Sequence, residues 1–349
     1  MKIPALPGFK PEAFEKYFKN TGWLMLARVG SLFIKMLVTT ILIPNYLGAG
    51  LTGTLNYPLI FFFTGICTLG TDALVTRQLL QHPEQENELL GTALRMRLIG
   101  GLCAIPIIYL TYYIISLTAT HAPAADFHQI MIMSLICLVQ ATQILDSYFQ
   151  SRTLGKNIML VQVGANILSA VIKFFLVLAG ASITAFIVML VIDVLLLQLG
   201  YIYFYRKQGK SLFQWKYNPA IARNLLKLGW PLAFAAIFVS LYLRIGQIMI
   251  DALLGNNASG IYSTVLQLTE SWYFIPVAIT AAVFPAMMNF RKHQPEIYTK
   301  RMTNLYDLMV IISVGIALCI SIAAPYVYEL FYAARPEFIA GAAVLQVNA

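Results

Sequence analysis

The sequence has few charged residues. Asp, Glu, Lys and Arg make up 11% of its 349 residues, whereas 59% are hydrophobic, and a soluble globular domain carries about 25% charged residues. This scarcity excludes a soluble enzyme, a disordered regulator and a secreted disulfide scaffold, and it indicates an integral membrane protein. The four cysteines lie in apolar runs without metal-ligand or disulfide spacing, so no redox chemistry is predicted.

Catalytic and targeting motifs are also missing. The histidines, His82, His121, His128 and His293, show no metal-ligand spacing on one helix. No Gly-rich phosphate loop or ATPase motif occurs, and the first twenty residues lack the apolar core of a signal peptide. We therefore predict a protein that is not an enzyme and that holds no metal or cofactor. Its energy source would be an ion gradient, the substrate gradient or a separate protein, with H⁺ or Na⁺ coupling left open.

Long apolar segments are what the sequence does contain. A transmembrane helix needs about 20 mostly apolar residues, and such segments recur here with short polar breaks between them. They predict an all-α polytopic membrane protein with nine to ten transmembrane helices and no soluble domain. The predicted spans are 22–44, 54–73, 94–117, 127–149, 158–179, 183–204, 229–250, 261–285 and 303–324, with a tenth that begins at 338.

The basic residues predict the orientation of the chain. Of the 24 Lys and Arg residues, nineteen lie in alternate breaks, among them Arg95 and Arg97, whereas the opposite breaks hold only Arg335. The positive-inside rule then places the N-terminus in the cytoplasm. The net charge of +9 follows from this topology, so no nucleic-acid partner is predicted.

An internal repeat with an offset of 207 residues relates two halves of the sequence. Six spans separate the copies, so both halves cross the membrane in the same direction, related by an axis along the membrane normal. Two lobes are predicted, 1–207 with six helices and 208–349 with about three and a half. The second copy stops inside its fourth helix, so we expect a full-length relative to have twelve spans and this chain to be C-terminally truncated. The repeat pairs are Gly22-Trp23 with Gly229-Trp230, Leu47-Gly48 with Leu254-Gly255, and Gly53 with Gly260.

Charged residues inside the spans are the candidate functional residues. An ionised group in the bilayer costs at least a few kcal/mol and usually faces a water-filled cavity or a partner. Four such cations share helix faces with polar residues at helical spacing, and these faces predict a wet central cavity. The stripes are Arg28, Ser31, Lys35 and Thr39; Gln162, Asn166, Ser169 and Lys173; and Ser240, Arg244, Gln247 and Asp251.

The signs of these charges predict the substrate. The four cations outnumber two mid-membrane acids, so the cavity would attract anions, and guanidinium and ammonium groups bind phosphate. Amide side chains beside them suit sugars. We predict Arg28, Lys35, Lys173 and Arg244 as phosphate contacts, Gln162, Asn166 and Gln247 as sugar contacts, and Asp193 and Glu270 as counter-ions or ion-coupling residues.

Structural interpretations of the same residues stay open. Arg28 lies near the cytoplasmic end and can extend to the interface, and Lys173 can pair with Asp193. Gln and Asn also join membrane helices to one another. Asp146 and Asp251 lie near span ends, where a boundary role is predicted.

Short motifs resemble those of a known family. Their positions are Gly22-Trp23, Asn45-Tyr46-Leu47-Gly48 with Gly53, Leu69-Gly70-Thr71-Asp72 with Arg77, and Val344-Leu345-Gln346. They resemble motifs of Wzx-type polysaccharide flippases of the MOP superfamily, over most of the chain. The resemblance implies two MOP or MATE-type lobes around a cationic cavity. It also implies transport of an undecaprenyl-pyrophosphate-linked oligosaccharide across the bacterial inner membrane by alternating access, as in O-antigen and lipopolysaccharide synthesis. Glycosyltransferases and a glycan polymerase of the same pathway would be partners.

Three other functions are considered. A multidrug exporter of the same superfamily would share the fold, but cationic drugs call for an acidic cavity. A lipid II flippase has related substrate chemistry, but its relatives have fourteen spans where this repeat predicts twelve. A membrane-embedded glycan polymerase would bind lipid-linked sugars, but such enzymes need a sizeable outer loop and the outer breaks here are short.

Overall fold

A computed structural model describes most of the chain between residues 11 and 348. The residues outside the description are 1–10, 68–70, 119–120, 122, 124, 277–278, 281–282, 284–286, 288–289, 292–293 and 349. Leu69-Gly70 of the family-like motif and His293 therefore lie outside the described residues. Within those residues all regular structure is helical, with no β-strand.

The helices are labelled α1 to α14 in chain order. A π-helical stretch, Met36–Leu42, joins α1 to α2, and a 3-10 turn, Gln140–Gln143, joins α7 to α8. The bounds are α1 Pro11–Lys35, α2 Ile43–Leu55, α3 Pro58–Cys67, α4 Asp72–Gln81, α5 Glu86–Thr118, α6 Phe127–Ser134, α7 Ile136–Val139, α8 Ile144–Ser151, α9 Gly155–Leu178, α10 Ile183–Lys207, α11 Pro219–Leu254, α12 Asn256–Glu270, α13 Pro295–Phe331 and α14 Gly341–Asn348.

In the described part of the chain, seven helical stretches are long and apolar enough to cross a membrane. They are Lys19–Leu55, Pro83–Thr118, Phe127–Ser151, Gly155–Leu178, Ile183–Lys207, Pro219–Leu254 and Glu296–Phe331. The predicted all-α polytopic membrane architecture is confirmed. The predicted spans 54–73 and 261–285 are interrupted, since α2 ends at Leu55 before α3 begins at Pro58, and a turn follows Glu270.

Four of the charged breaks meet at one end of the bundle, called here the basic end. The carboxylate of Glu86 lies 2.6 Å from the Arg152 guanidinium and 2.9 Å from the Lys210 ammonium. Close by in the chain, the Gly155 N–H donates a hydrogen bond to Asn20 Oδ1 at 2.6 Å. Glu86 is buried, and two cations compensate its charge. Breaks that are far apart in sequence thus meet at one end, as the alternation of basic segments predicts.

The connection between the two halves is fastened to this basic end. The Asn218 N–H donates to Thr92 Oγ1 at 2.9 Å, and Asn218 Nδ2 donates to Glu88 Oε2 at 2.7 Å. Asn218 Oδ1 accepts from the Ala220 N–H and so caps the first turn of α11. The chain therefore enters α11 from a fixed position on α5.

Two glycines at the opposite end, called the far end, carry the internal repeat. Gly48 has φ 79° and ψ 174°, and Gly255 has φ 81° and ψ −177°. A side chain is strained at such a positive φ, so glycine is favoured. Each glycine interrupts regular helical geometry, and the two lie 207 residues apart. The repeat is therefore present in the backbone, while the division of the chain at residue 207 stays a prediction.

The two halves pack against each other at the far end through α2 and α12. Gly53 of α2 faces Gly260 of α12, and a Cβ on either glycine would overlap a backbone carbonyl oxygen of the opposite helix. Asn56 Nδ2 donates to Ser263 Oγ at 3.4 Å, and these residues too are 207 apart. Residues related by the repeat thus touch each other, as expected for residues beside the predicted axis between the halves.

Replacing Gly260 with alanine should separate α2 from α12. We expect the overlap to cost about 1–3 kcal/mol, which outweighs the roughly 1 kcal/mol that alanine gains over glycine in a helix over all but the lowest part of that range. Gly164→Ala on α9 is the matched control, since nothing lies within 4 Å of a Cβ there. Thermal unfolding in detergent measures both variants. Equal melting temperatures would contradict the close contact.

Candidate functional site

Polar side chains of α1, α8, α9 and α10 form a connected surface, called here the N-terminal polar cluster. The stripes on α1 and α9 meet because these helices pack together, and Asn166 Nδ2 donates to Ser31 Oγ across them at 2.9 Å. This helical spacing is the reason that the sequence pattern becomes one surface. The cluster comprises Arg28, Ser31, Lys35, Asp146, Gln162, Asn166, Ser169, Lys173, Asp193 and Tyr201.

An ion pair between α9 and α10 lies in this cluster. Lys173 Nζ donates to Asp193 Oδ2 at 2.5 Å, and Ser169 Oγ donates to Asp193 Oδ1 at 2.5 Å. Lys173 is only 4% exposed, and a buried ammonium needs such a partner. Lys35 of α1 is close enough to interact electrostatically with both members of the pair. Asp193 thus occupies the position of a counter-ion to Lys173.

A second carboxylate organises the rest of the cluster. Asp146 Oδ1 accepts from the Tyr201 hydroxyl at 2.8 Å, and Asp146 Oδ2 accepts from Gln150 Nε2 at 2.7 Å. Gln162 Nε2 donates to the Tyr201 hydroxyl at 3.2 Å, and Arg28 interacts electrostatically with Asp146. The boundary role predicted for Asp146 misses this network, because its partner Tyr201 is remote in sequence.

Arg28 and Lys35 differ from Lys173 in that no ion pair occupies them. Both are exposed, and neither forms an ion pair with any residue that the structure describes. They stand two turns apart on one face of α1, about 10 Å by helix rise. The two cationic groups can therefore receive an anion, whereas Lys173 is already compensated.

The other predicted contacts lie apart from this cluster. Arg244 Nη2 is 3.5 Å from Glu270 Oε1, and its guanidinium lies over the Phe61 ring at 5.5 Å from the centroid. Gln247 is 2% exposed and donates to the Asn56 carbonyl at 2.9 Å. Gln247 thus joins α11 to the end of α2, in an interhelical contact. Its assignment as a sugar contact stays a prediction, and its position in this conformation does not favour it.

The structure corrects the assignment of Arg97 to a basic break. Arg97 is 1% exposed inside α5, and its Nη2 lies 2.7 Å from Asp72 Oδ1 and 3.0 Å from Thr71 Oγ1. Asp72 begins α4, so this ion pair ties two helices together. The sequence did contain an indication of this position, because Arg97 falls within the predicted span 94–117.

Among the described residues, His, Cys, Asp and Glu form no group of three or more that could hold a metal ion.

The helical bundle with its far-end contact between α2 and α12 has the fold of MOP-type transporters. A MATE transporter solved in complex with MaL6 superposes with a TM-score of 0.61 at 14% identity, covering 95% of this chain and 78% of that one. The eukaryotic MATE transporter AtDTX14 gives 0.59 at 14%, covering 95% and 79%. A MOP superfamily transporter from Pyrococcus furiosus gives 0.62 at 13%, covering 95% and 78%. For that protein, a reverse polarity of the binding pocket is described as suggesting a different function.

The sequence itself assigns the family. Residues 17–291, more than half of the chain, match the model of the polysaccharide biosynthesis protein family. The chain belongs to this family. No curated protein matches the sequence. The family and the fold together support a multi-pass membrane transporter connected with polysaccharide biosynthesis.

Removing one member of the pair between α9 and α10 should destabilise the protein. Lys173→Met leaves Asp193 uncompensated, which costs about 3–5 kcal/mol for a buried pair. We expect the lower end, because the Asp193 side chain keeps 27% of its surface exposed. The double variant Lys173→Met/Asp193→Leu should recover most of the loss. Melting temperatures in detergent test this, and a double variant no more stable than the single one would contradict the pairing.

Proposed function

We propose that this protein is a flippase that moves an undecaprenyl-pyrophosphate-linked oligosaccharide across the bacterial inner membrane by alternating access. The availability of Arg28 and Lys35 carries this proposal, together with membership of the family. A pyrophosphate bears negative charge and several acceptor oxygens, which suit a guanidinium and an ammonium on one helix face. Gln162 and Asn166 lie beside them for sugar hydroxyls.

The distribution of charge supports the direction of transport. With the N-terminus in the cytoplasm, the basic end faces the side on which lipid-linked sugars are assembled. Three cations of the N-terminal polar cluster stand against two carboxylates, so the cluster has a net positive charge when all five groups are ionised.

The expected partners are glycosyltransferases and a glycan polymerase of the same pathway. Coupling to H⁺ or Na⁺ through Asp193 or Glu270 remains a prediction.

Arg28→Ala and Lys35→Ala should each weaken binding of undecaprenyl pyrophosphate to the purified protein. A hydrogen bond to a charged group contributes about 1.5–3 kcal/mol, so each variant should bind roughly ten- to a hundredfold less tightly. Lys35→Arg should lose less, because it keeps the charge. Lys207→Ala, an exposed cation at the end of α10, is the matched control. Unchanged affinity in both alanine variants would overturn the site assignment.

Export of surface polysaccharide in cells tests the transport step. The variants Arg28→Ala, Lys35→Ala and Arg244→Ala should each lose export while still inserting in the membrane. Normal export in all three would refute the proposed contacts.

The alternative functions predict other results. A multidrug exporter would extrude cationic dyes, and a glycan polymerase would elongate the oligosaccharide without translocating it.

A further inference from the structure

A segment of the C-terminal half meets irregular backbone in the first predicted span. This segment, residues 331–337, begins at the last residue of α13 and is called here the latch. The backbone that it contacts departs from regular α-helix twice, in the π-helical stretch Met36–Leu42 and at Gly48 inside α2. Irregular geometry removes main-chain atoms from their usual partners within the helix, and such atoms must be satisfied elsewhere.

Two latch side chains replace the hydrogen bond that is missing at the glycine break. In a regular helix the Ala49 N–H would donate to the Asn45 carbonyl. Here the Ala49 N–H donates to Glu337 Oε1 at 2.7 Å. The Asn45 carbonyl accepts from Arg335 Nε at 3.0 Å, and the Tyr46 carbonyl accepts from Arg335 Nη2 at 3.0 Å. A cation and an anion from the other half thus cap the two sides of the break.

Two further bonds extend the contact along the same helix. Asn45 Nδ2 donates to the Phe331 carbonyl at 2.6 Å, and the Tyr332 hydroxyl donates to the Thr40 carbonyl in the π-helical stretch. The Tyr332 ring stacks on Phe338 with centroids 4.8 Å apart. The latch therefore holds residues 40–49 through five hydrogen bonds, four to their backbone and one from the Asn45 side chain, all of them between the two halves of the repeat.

The second glycine break has a different environment. The Gly255 N–H donates to the Asp251 carbonyl at 3.2 Å within its own helix, and the His121 ring lies in van der Waals contact beside it. Among the described residues, no Arg or Glu side chain is bonded to this break. The helix break thus occurs in both halves of the repeat, whereas the latch contacts only the break at Gly48. A helix break of this kind therefore does not need a latch in order to form.

Solvent reaches the latch from the far end. A cavity of about 620 Å³ opens there, bordered by Gly48, His121, Gly255, Arg335 and Glu337 among others. Water in this cavity can take over the hydrogen bonds of the latch when the halves separate. The contact is therefore suited to being broken and formed again.

We propose that the latch holds the far end of the transporter closed and that Arg335 and Glu337 must release the 45–49 backbone before this end opens. The latch then sets the fraction of molecules that are open at the far end. It is separate from the N-terminal polar cluster, so it operates whichever substrate is carried.

Cross-linking across the far end tests the latch without any substrate. Cysteines at Gly50 and Asn257 would lie on the facing helices, since a Cβ on Gly50 comes within 2.7 Å of Asn257 Oδ1. The four native cysteines are replaced by alanine, and the full chain is oxidised in liposomes with copper phenanthroline. Arg335→Ala and Glu337→Gln should each slow disulfide formation about tenfold, and Tyr332→Phe should slow it severalfold.

Two exposed residues of α13 provide matched controls. Glu329→Gln and Tyr326→Phe make the same chemical changes at exposed positions. They should cross-link at the rate of the parent protein, which carries the two introduced cysteines and an unchanged latch. Gel filtration shows whether each variant is folded, and Tyr332→Phe removes only a hydroxyl group, so its ring packing is kept. Parent cross-linking rates in all three latch variants would overturn the proposal, whatever the outcome of the substrate-binding measurements.

Discussion

A polar group carried into a membrane has to find its partner within the protein or in a water-filled cavity, because the hydrocarbon core offers no water to replace one. This constraint accounts for the main contacts of the structure. Asp193 meets Lys173, Asp72 meets Arg97, and Glu270 lies near Arg244. Each of these pairs joins two helices that follow one another in the chain, α9 with α10, α4 with α5 and α11 with α12, and so each helps to fix how neighbouring helices pack.

The same constraint distinguishes cations that are held in ion pairs from cations that are left to bind a ligand. A compensated cation such as Lys173 holds helices in place, whereas Arg28 and Lys35 remain exposed on α1 without an ion-pair partner among the described residues. In the proposed function, an anion would therefore bind these two groups without displacing an ion pair. Backbone groups that are freed where a helix is interrupted also need hydrogen-bond partners. At Gly48 the freed backbone groups are satisfied by the opposite half, which couples helix geometry to closure of the far end.

Much of this arrangement could be predicted from the sequence. Hydropathy gives the long helices, helical spacing gives the polar faces of α1 and α9, and the 207-residue offset anticipates the matching glycine breaks at Gly48 and Gly255. These features depend on local periodicity or on comparison of the sequence with itself. Most interactions between different helices could not be predicted in that way, although the pairing of Lys173 with Asp193 is one interpretation that the charges leave open. The pairing of Arg97 with Asp72, the contact of Gln247 with Asn56 and the role of Arg335 depend on tertiary packing.

The charge of the carrier lipid is the point on which the transport proposal depends most. The direct measurement is translocation by the purified protein in liposomes of two fluorescent lipid-linked oligosaccharides with the same sugar, one joined through pyrophosphate and one through a neutral linkage. The predicted result is movement of the pyrophosphate-linked lipid and little movement of the neutral one. Equal translocation of both lipids, or of neither, would contradict a site built on Arg28 and Lys35.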